Sequence, residues 1–240
     1  MEQGIILAAG LGSRLKEITK VTPKSLLRVN EQPLLERNIE FMIEAGFKRV
    51  ILVTGYMSER FQYLKEKYAD IDLIILFNED YASSNTVSSL FRVKDLFDFD
   101  SYITTADIYL RVNPFTKYKG NENFYILRPA AYFEKPDWIA ELNEEKQFIS
   151  VDVKGQEGYS YTGCSHWTKE GLQFIKEKLE NIDWENQNER NMYWDELLLP
   201  YFSNFKLYAK ILEDNTEIYE FDDLGDIHMF EKEQGVKVTY

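Results

Sequence analysis

Two cations flank a glycine-rich turn near the start of the chain. Leu7-Ala8-Ala9-Gly10-Leu11-Gly12-Ser13-Arg14-Leu15 sets small residues and two glycines after an apolar run, and Thr22-Pro23-Lys24 follows. Glycine permits positive φ and lets backbone N–H groups approach an anion closely. Pro23 fixes the backbone just before Lys24, which favours a defined direction for that ammonium. The spacing is neither a P-loop, G-x-x-x-x-G-K-[ST], nor a dinucleotide fingerprint, G-x-G-x-x-G. The bland alternative is an ordinary turn beside two solvated cations.

Carboxylates supply the second kind of chemistry. Asp107 ends Thr105-Ala106-Asp107, at the carboxyl end of an apolar run, where a parallel sheet opens to ligand. Its hard oxygens suit Mg²⁺, which takes one or two carboxylates together with phosphate oxygens and waters. As a cap or turn residue it would have no such role. Late in the chain, strand alternation in Tyr219-Glu220-Phe221-Asp222 puts Glu220 and Asp222 on one face and Tyr219 and Phe221 on the other. Asp223 stands where it would cap a helix beginning near Leu224.

Aromatic residues concentrate in the second half. Trp138, Tyr159, Tyr161, Trp167, Tyr193 and Trp194 accompany Glu134, Asp137 and Asp195. Ring faces with carboxylates recognise a quaternary ammonium. Trp and Tyr also routinely fill cores.

The elements that must position these groups follow from hydrophobic period. Ile5–Ala9, Val50–Thr54, Leu73–Phe77 and Tyr102–Thr105 read as buried strands. Between them, helical spacing appears over Leu34–Ala45, with Gly46 as its stop, over Ser58–Tyr68 and over Asn85–Leu96. The alternation predicts an α/β fold with a Rossmann-like, mostly parallel central sheet and helices on both faces. Further strands are expected at Asn123–Leu127, Phe148–Val153, Tyr159–Trp167, Leu207–Leu212 and Glu217–Phe221, with helices near Lys169–Leu179, Asn191–Phe202 and Leu224–Glu233. No repeat or low-complexity linker divides the chain, so one domain over residues 1–240 is expected.

Composition narrows the class. The chain has 240 residues, 44% hydrophobic and 15% aromatic, enough for one sizeable core. A net charge of −13 works against nonspecific nucleic-acid or anionic-membrane binding. It also means that a polyphosphate site must gather its few cations locally or recruit metal ions. One cysteine, Cys164, excludes an internal disulfide, and the two histidines, His166 and His228, are too far apart in sequence to suggest a ligand pair. No apolar run is long enough to span a membrane and no signal peptide is evident, so a cytoplasmic protein is expected.

The loop Leu7–Leu15 followed by Thr22-Pro23-Lys24 resembles the N-terminal pattern of the sugar-phosphate and choline-phosphate nucleotidyltransferases. Asn78-Glu79-Asp80-Tyr81, Asn85, Ser89-Leu90, Tyr193-Trp194-Asp195 and Ile218–Asp222 extend the resemblance to the bacterial CTP:phosphocholine cytidylyltransferases. It covers nearly the whole chain, most strongly at the N-terminus and least across Arg111–Asp152. It implies transfer of CMP from CTP to phosphocholine, giving CDP-choline and pyrophosphate. Residues 1–110 would bind the nucleotide and 111–240 the acceptor. Leu7, Ala8, Ala9, Gly10, Leu11, Gly12, Ser13, Arg14, Lys24, Asn78, Ser84, Asn85 and Ala106 would contact the nucleotide. Lys24, Arg14 and Asp107 would be catalytic, and Asp107, Glu220 and Asp222 would hold Mg²⁺. Trp138, Tyr161, Tyr193 and Asp195 would meet the acceptor. Ser83-Ser84-Asn85-Thr86-Val87 carries smaller side chains than the family's corresponding stretch, which keeps 2-aminoethylphosphonate and phosphoethanolamine open as acceptors. A sugar 1-phosphate acceptor, a nucleotide sensor without catalysis, UTP in place of CTP, and a monomer or homodimer also stay open.

Overall fold

A computed structural model of the chain describes residues 2–130, 138–155, 157–202 and 205–240. Its strands are β1 (Glu2–Ala8), β2 (Arg28–Val29), β3 (Gln32–Pro33), β4 (Arg49–Thr54), β5 (Asp72–Phe77), β6 (Asp100–Thr105) and β7 (Ile108–Leu110) in the first half. The second half carries β8 (Phe124–Pro129), β9 (Ile139–Leu142), β10 (Phe148–Asp152), β11 (Tyr159–Trp167), β12 (Tyr208–Ile211), β13 (Ile218–Glu220) and β14 (Val238–Thr239).

The central sheet runs β10-β9-β11-β6-β1-β4-β5, with β8 also on β11 and β12 on β8. β6, β1, β4 and β5 pair in parallel, with Ile5 opposite both Ile51 and Ile103. The expected parallel sheet therefore holds for the first half. The second half differs, because β11 pairs antiparallel with β6, β8 and β9, and β9 with β10.

Both faces are covered, as the strand alternation demands. Ile5 and Leu7 pack with Val87, Leu90 and Val93 of the helix Thr86–Val93 and with Leu172 and Ile175 of the helix Lys169–Glu180. Ile6 faces the other way, against Leu35, Ile39 and Met42 of the helix Leu34–Glu44. That helix stops where Gly46 takes φ +94°, a conformation that other residues adopt only under strain.

Some expected elements break up or change type. Ser58–Tyr68 divides into a 3₁₀ turn, Ser58–Phe61, and a short helix, Leu64–Lys67, although Phe61, Leu64 and Tyr68 all stay buried as their spacing requires. Asn191–Phe202 becomes the 3₁₀ helix Trp194–Tyr201, with Pro200 inside it removing an N–H from any α-helical ladder. Strands β7 and β9 and the small sheet β14-β2-β3 were not foreseen, since two to four residues show no readable period.

Candidate active site

The glycine loop begins where β1 ends. Gly12 takes φ +62°, and its carbonyl accepts from Leu15 N–H at 3.0 Å and from the Thr19 hydroxyl at 3.1 Å, which curls the loop. A Cβ on Gly12 would lie 2.8 Å from Thr19 Cγ2, whereas one on Gly10 would meet nothing within 4 Å. Gly12 is therefore glycine for the fold, and Gly10 leaves open space toward the cleft. Pro23, at φ −54° and ψ 141°, leads into the 3₁₀ turn Lys24–Leu26 and sends Lys24 inward, where only 12% of its side chain stays exposed.

Lys24 meets the carboxylates there. Its Nζ donates to Asp107 Oδ2 and to Asp222 Oδ1, each at 2.6 Å, while Arg14 donates to Asp222 Oδ2 at 2.7 Å. Strand pairing brings these distant residues together. β7 and β13 pair antiparallel with Ile108 opposite Glu220, and Phe221 N–H donates to the Asp107 carbonyl at 3.0 Å. Tyr219 and Phe221 pack inward against Phe230, which leaves Glu220 and Asp222 on the cleft side as alternation predicts. Asp223 caps the helix Leu224–Gln234, accepting from Gly225 N–H at 2.6 Å and from Asp226 N–H at 3.2 Å. One oxygen from each of Asp107, Glu220 and Asp222 lies within 4.8 Å of the others.

The charges in this cluster set one another. Desolvation pulls the Lys24 pKa down, but the Asp107 and Asp222 charges and hydrogen bonds outweigh it and hold the ammonium above its usual range. Burial would raise the Asp107 pKa, and Lys24 reverses that and lowers it. The Glu220 pKa is raised by desolvation at the cleft wall and then by the Asp107 and Asp222 charges. Among the described residues Asp107 Oδ1 is buried and has no hydrogen-bond partner.

A cleft of about 740 Å³ joins this cluster to the aromatic second half. Leu7, Ala8, Gly10, Leu11, Gly12, Ser13, Arg14, Lys24, Ser84, Asn85, Ala106 and Asp107 line it, and so do Trp138, Tyr161, Tyr193, Asp195, Glu220 and Asp222. Trp138 stands nearly perpendicular to Tyr161, at 5.7 Å and 70°, and to Tyr193, at 5.8 Å and 77°. Asp195 sits beside them and accepts a hydrogen bond from Tyr125, while burial pushes its pKa up to about 7.

Two expected nucleotide contacts lie elsewhere. Ala9 is buried in the core, and its carbonyl accepts from Tyr56 N–H at 3.2 Å. Asn78 is also buried. Its amide donates to Ser88 and Ser89 at 2.9 and 3.1 Å and its oxygen accepts from Asp80 N–H, so its polar atoms are spent on pinning a turn. Trp167 is a core residue rather than a ring of the cage. Glu134 and Asp137 lie outside the described residues. Tyr125 lines the cleft but gave no sequence signal, since it sits inside a run that reads only as strand; Thr86, within the Ser83–Val87 stretch of small side chains, also lines it.

A glycine loop and an inward lysine facing three carboxylates, at the carboxyl ends of a parallel sheet, define a nucleotidyl transferase, and the chain belongs to that family. Residues 3–120 match the family model described as Nucleotidyl transferase. The chain is similar to the choline-phosphate cytidylyltransferase of Haemophilus influenzae, 36% identical over 229 residues, covering 93% of this chain and 94% of that one. A solved CTP:phosphocholine cytidylyltransferase from Streptococcus pneumoniae superposes with a TM-score of 0.86 at 32% identity, over 97% of this chain and 99% of that one. The 2-aminoethylphosphonate cytidylyltransferase of Lancefieldella rimae is 26% identical over 236 residues, covering 95% of this chain and 91% of that one.

Proposed function

We propose that the chain transfers CMP from CTP to phosphocholine, releasing pyrophosphate and CDP-choline, with Mg²⁺ as cofactor. The observation that carries this reading is one cleft with a cation-and-carboxylate cluster at one end and an aromatic cage around Asp195 at the other. Two relatives that span nearly the whole chain bear the name choline-phosphate cytidylyltransferase, and this supports the choice of substrates.

The donor set fits a hard divalent cation, given three carboxylates and the unpartnered, buried Asp107 Oδ1. Asp107, Glu220 and Asp222 would hold Mg²⁺, which when bound neutralises charge on the triphosphate during transfer. The chain's own groups do the rest. Backbone N–H groups of Gly10–Ser13, with Arg14, hold the β- and γ-phosphates. Lys24 stabilises charge at the α-phosphate. The cage holds the acceptor's trimethylammonium group against ring faces, and Asp195 supplies the opposite charge. An acceptor phosphate oxygen then attacks the α-phosphorus in line. The P–O bond to the β-phosphate breaks, and pyrophosphate leaves with that electron pair. The nucleophile is already an anion, so no general base is needed.

A primary ammonium acceptor is the second reading. The 2-aminoethylphosphonate relative favours it, as does the ability of Asp195 to accept a hydrogen bond that a quaternary nitrogen cannot donate. Pyrophosphate release from CTP or UTP, measured with phosphocholine, phosphoethanolamine, 2-aminoethylphosphonate and glucose 1-phosphate, separates the readings. The largest kcat/KM is expected for CTP with phosphocholine, and a larger value for any other pair would overturn that assignment. A cytoplasmic setting belongs to the same proposal; no helix among the described residues is long and apolar enough to cross a membrane.

A further inference from the structure

Between the two ends of the cleft, two segments from opposite halves of the chain are bound edge to edge. The Ser84 hydroxyl donates to the Arg190 carbonyl at 2.6 Å, and Asn85 N–H donates to the same oxygen at 3.0 Å. Val87 N–H donates to the Met192 carbonyl at 3.3 Å. In the other direction, Trp194 N–H donates to Thr86 Oγ1 at 3.0 Å and Arg190 to the Ser83 hydroxyl at 2.9 Å. One segment opens the helix Thr86–Val93, with Asn85 accepting from Thr86 N–H at 2.8 Å as its cap. The other opens the 3₁₀ helix Trp194–Tyr201 and carries Tyr193 and Asp195.

We infer that this clasp couples the nucleotide and acceptor subsites, with Thr86 as the positioning residue that fixes Trp194 and, through it, Tyr193 and Asp195. The inference rests on the reading above, in which the two substrates occupy opposite ends of one cleft. Ser84 and Asn85 face the cleft with part of their polar capacity already committed across the seam. A nucleotide held against them restricts the groups that hold the Arg190 carbonyl, and ordering that seam pre-orders the acceptor residues. The second ligand then binds a site whose ordering is already done, which is positive cooperativity. The first turn of this 3₁₀ helix is closed from within by a capping box between Tyr193 and Glu196, and Thr86 adds the one bond that ties Trp194 N–H to the other half of the chain.

Binding without turnover tests this. Phosphocholine is titrated into the full chain by calorimetry, with and without saturating α,β-methylene-CTP and Mg²⁺. Wild type should bind phosphocholine about fivefold or more tightly with the nucleotide present, within the range typical of coupled sites. Thr86→Val should bring that ratio to within about twofold while its affinity for the nucleotide alone, which reports a folded protein, stays near wild type. Thr86→Ser, which keeps the hydroxyl, should restore the coupling. A ratio of one in wild type, or an undiminished ratio in Thr86→Val, would overturn the clasp. If the substrate panel selects a different acceptor, that acceptor replaces phosphocholine in the titration. Failure of the acceptor assignment is thus read from the panel and failure of the clasp from the ratio.

Discussion

Lys24 holds Asp107 and Asp222 together at 2.6 Å each, a preorganised positive charge at the carboxylate end of the cleft. Lys24→Met should lower kcat/KM by at least about 100-fold, the usual cost of losing one preorganised charge donor, with far-ultraviolet circular dichroism unchanged. Lys24→Arg should not restore the rate, because the larger planar guanidinium does not fit where the compact, mostly buried ammonium sits between Asp107 and Asp222. Asp195 gives a pH dependence. Burial lifts its pKa to about 7, so it gains its charge near neutrality and the KM for a cationic acceptor should fall as pH rises through that value. Asp195→Asn should raise that KM and flatten its profile. Stability follows the same residue with a defined sign. An unfolded Asp ionises near pH 4, so folding should lose stability between about pH 4 and 7, and Asp195→Asn should remove that part of the slope in urea unfolding. Arg14, Lys24, Asp107 and the Glu220/Asp222 pair were all legible as residues that could act, because each stands beside a glycine turn or at a strand end. Asn78 misled because an amide after a strand looks the same whether it faces a ligand or pins Ser88 and Ser89.

Short elements do most of the positioning. β7 and β13 are three residues each, yet their register places Asp107 beside Glu220 and Asp222. Neither could be paired from sequence, because three residues define no period and the partners lie about half a chain apart. The facing of Glu220 and Asp222 was readable from local alternation, and so was the cap at Asp223. That cap also steadies the stretch that carries Glu220 and Asp222, since Asp226, inside the capped turn, accepts from Asp222 N–H at 2.8 Å. Asp223→Ala should therefore cost about 1 kcal/mol, seen as a fall in Tm of about 2–4 °C, with a parallel loss of kcat. An unchanged Tm would remove the cap from this account. Gly55 is fixed by close approach: a Cβ there would lie 2.7 Å from the Ala9 carbonyl and 2.5 Å from Tyr81 Cβ, so Gly55→Ala should lower Tm and disturb the strand ends beside the cleft.

At the scale of the molecule, the parallel core of the first half, β1, β4, β5 and β6 with its covering helices, follows from hydrophobic period, since four parallel strands with helices on both faces leave few topologies. The second half resisted because its strands pair antiparallel across long separations, and rings such as Trp167 and Tyr161 look alike in sequence although one is core and the other lines the cleft. With a net charge of −13, the chain gathers Arg14 and Lys24 beside carboxylates from both halves of its sequence, in a cleft that also takes in Trp138, Tyr161 and Tyr193. The most direct test is to incubate the protein with CTP, phosphocholine and Mg²⁺ and to identify products by mass spectrometry. CDP-choline and pyrophosphate should form in equal amounts, and chelation of the metal or Asp107→Asn should abolish both. No CDP-choline from the wild-type chain, or undiminished turnover by Asp107→Asn, would contradict the account.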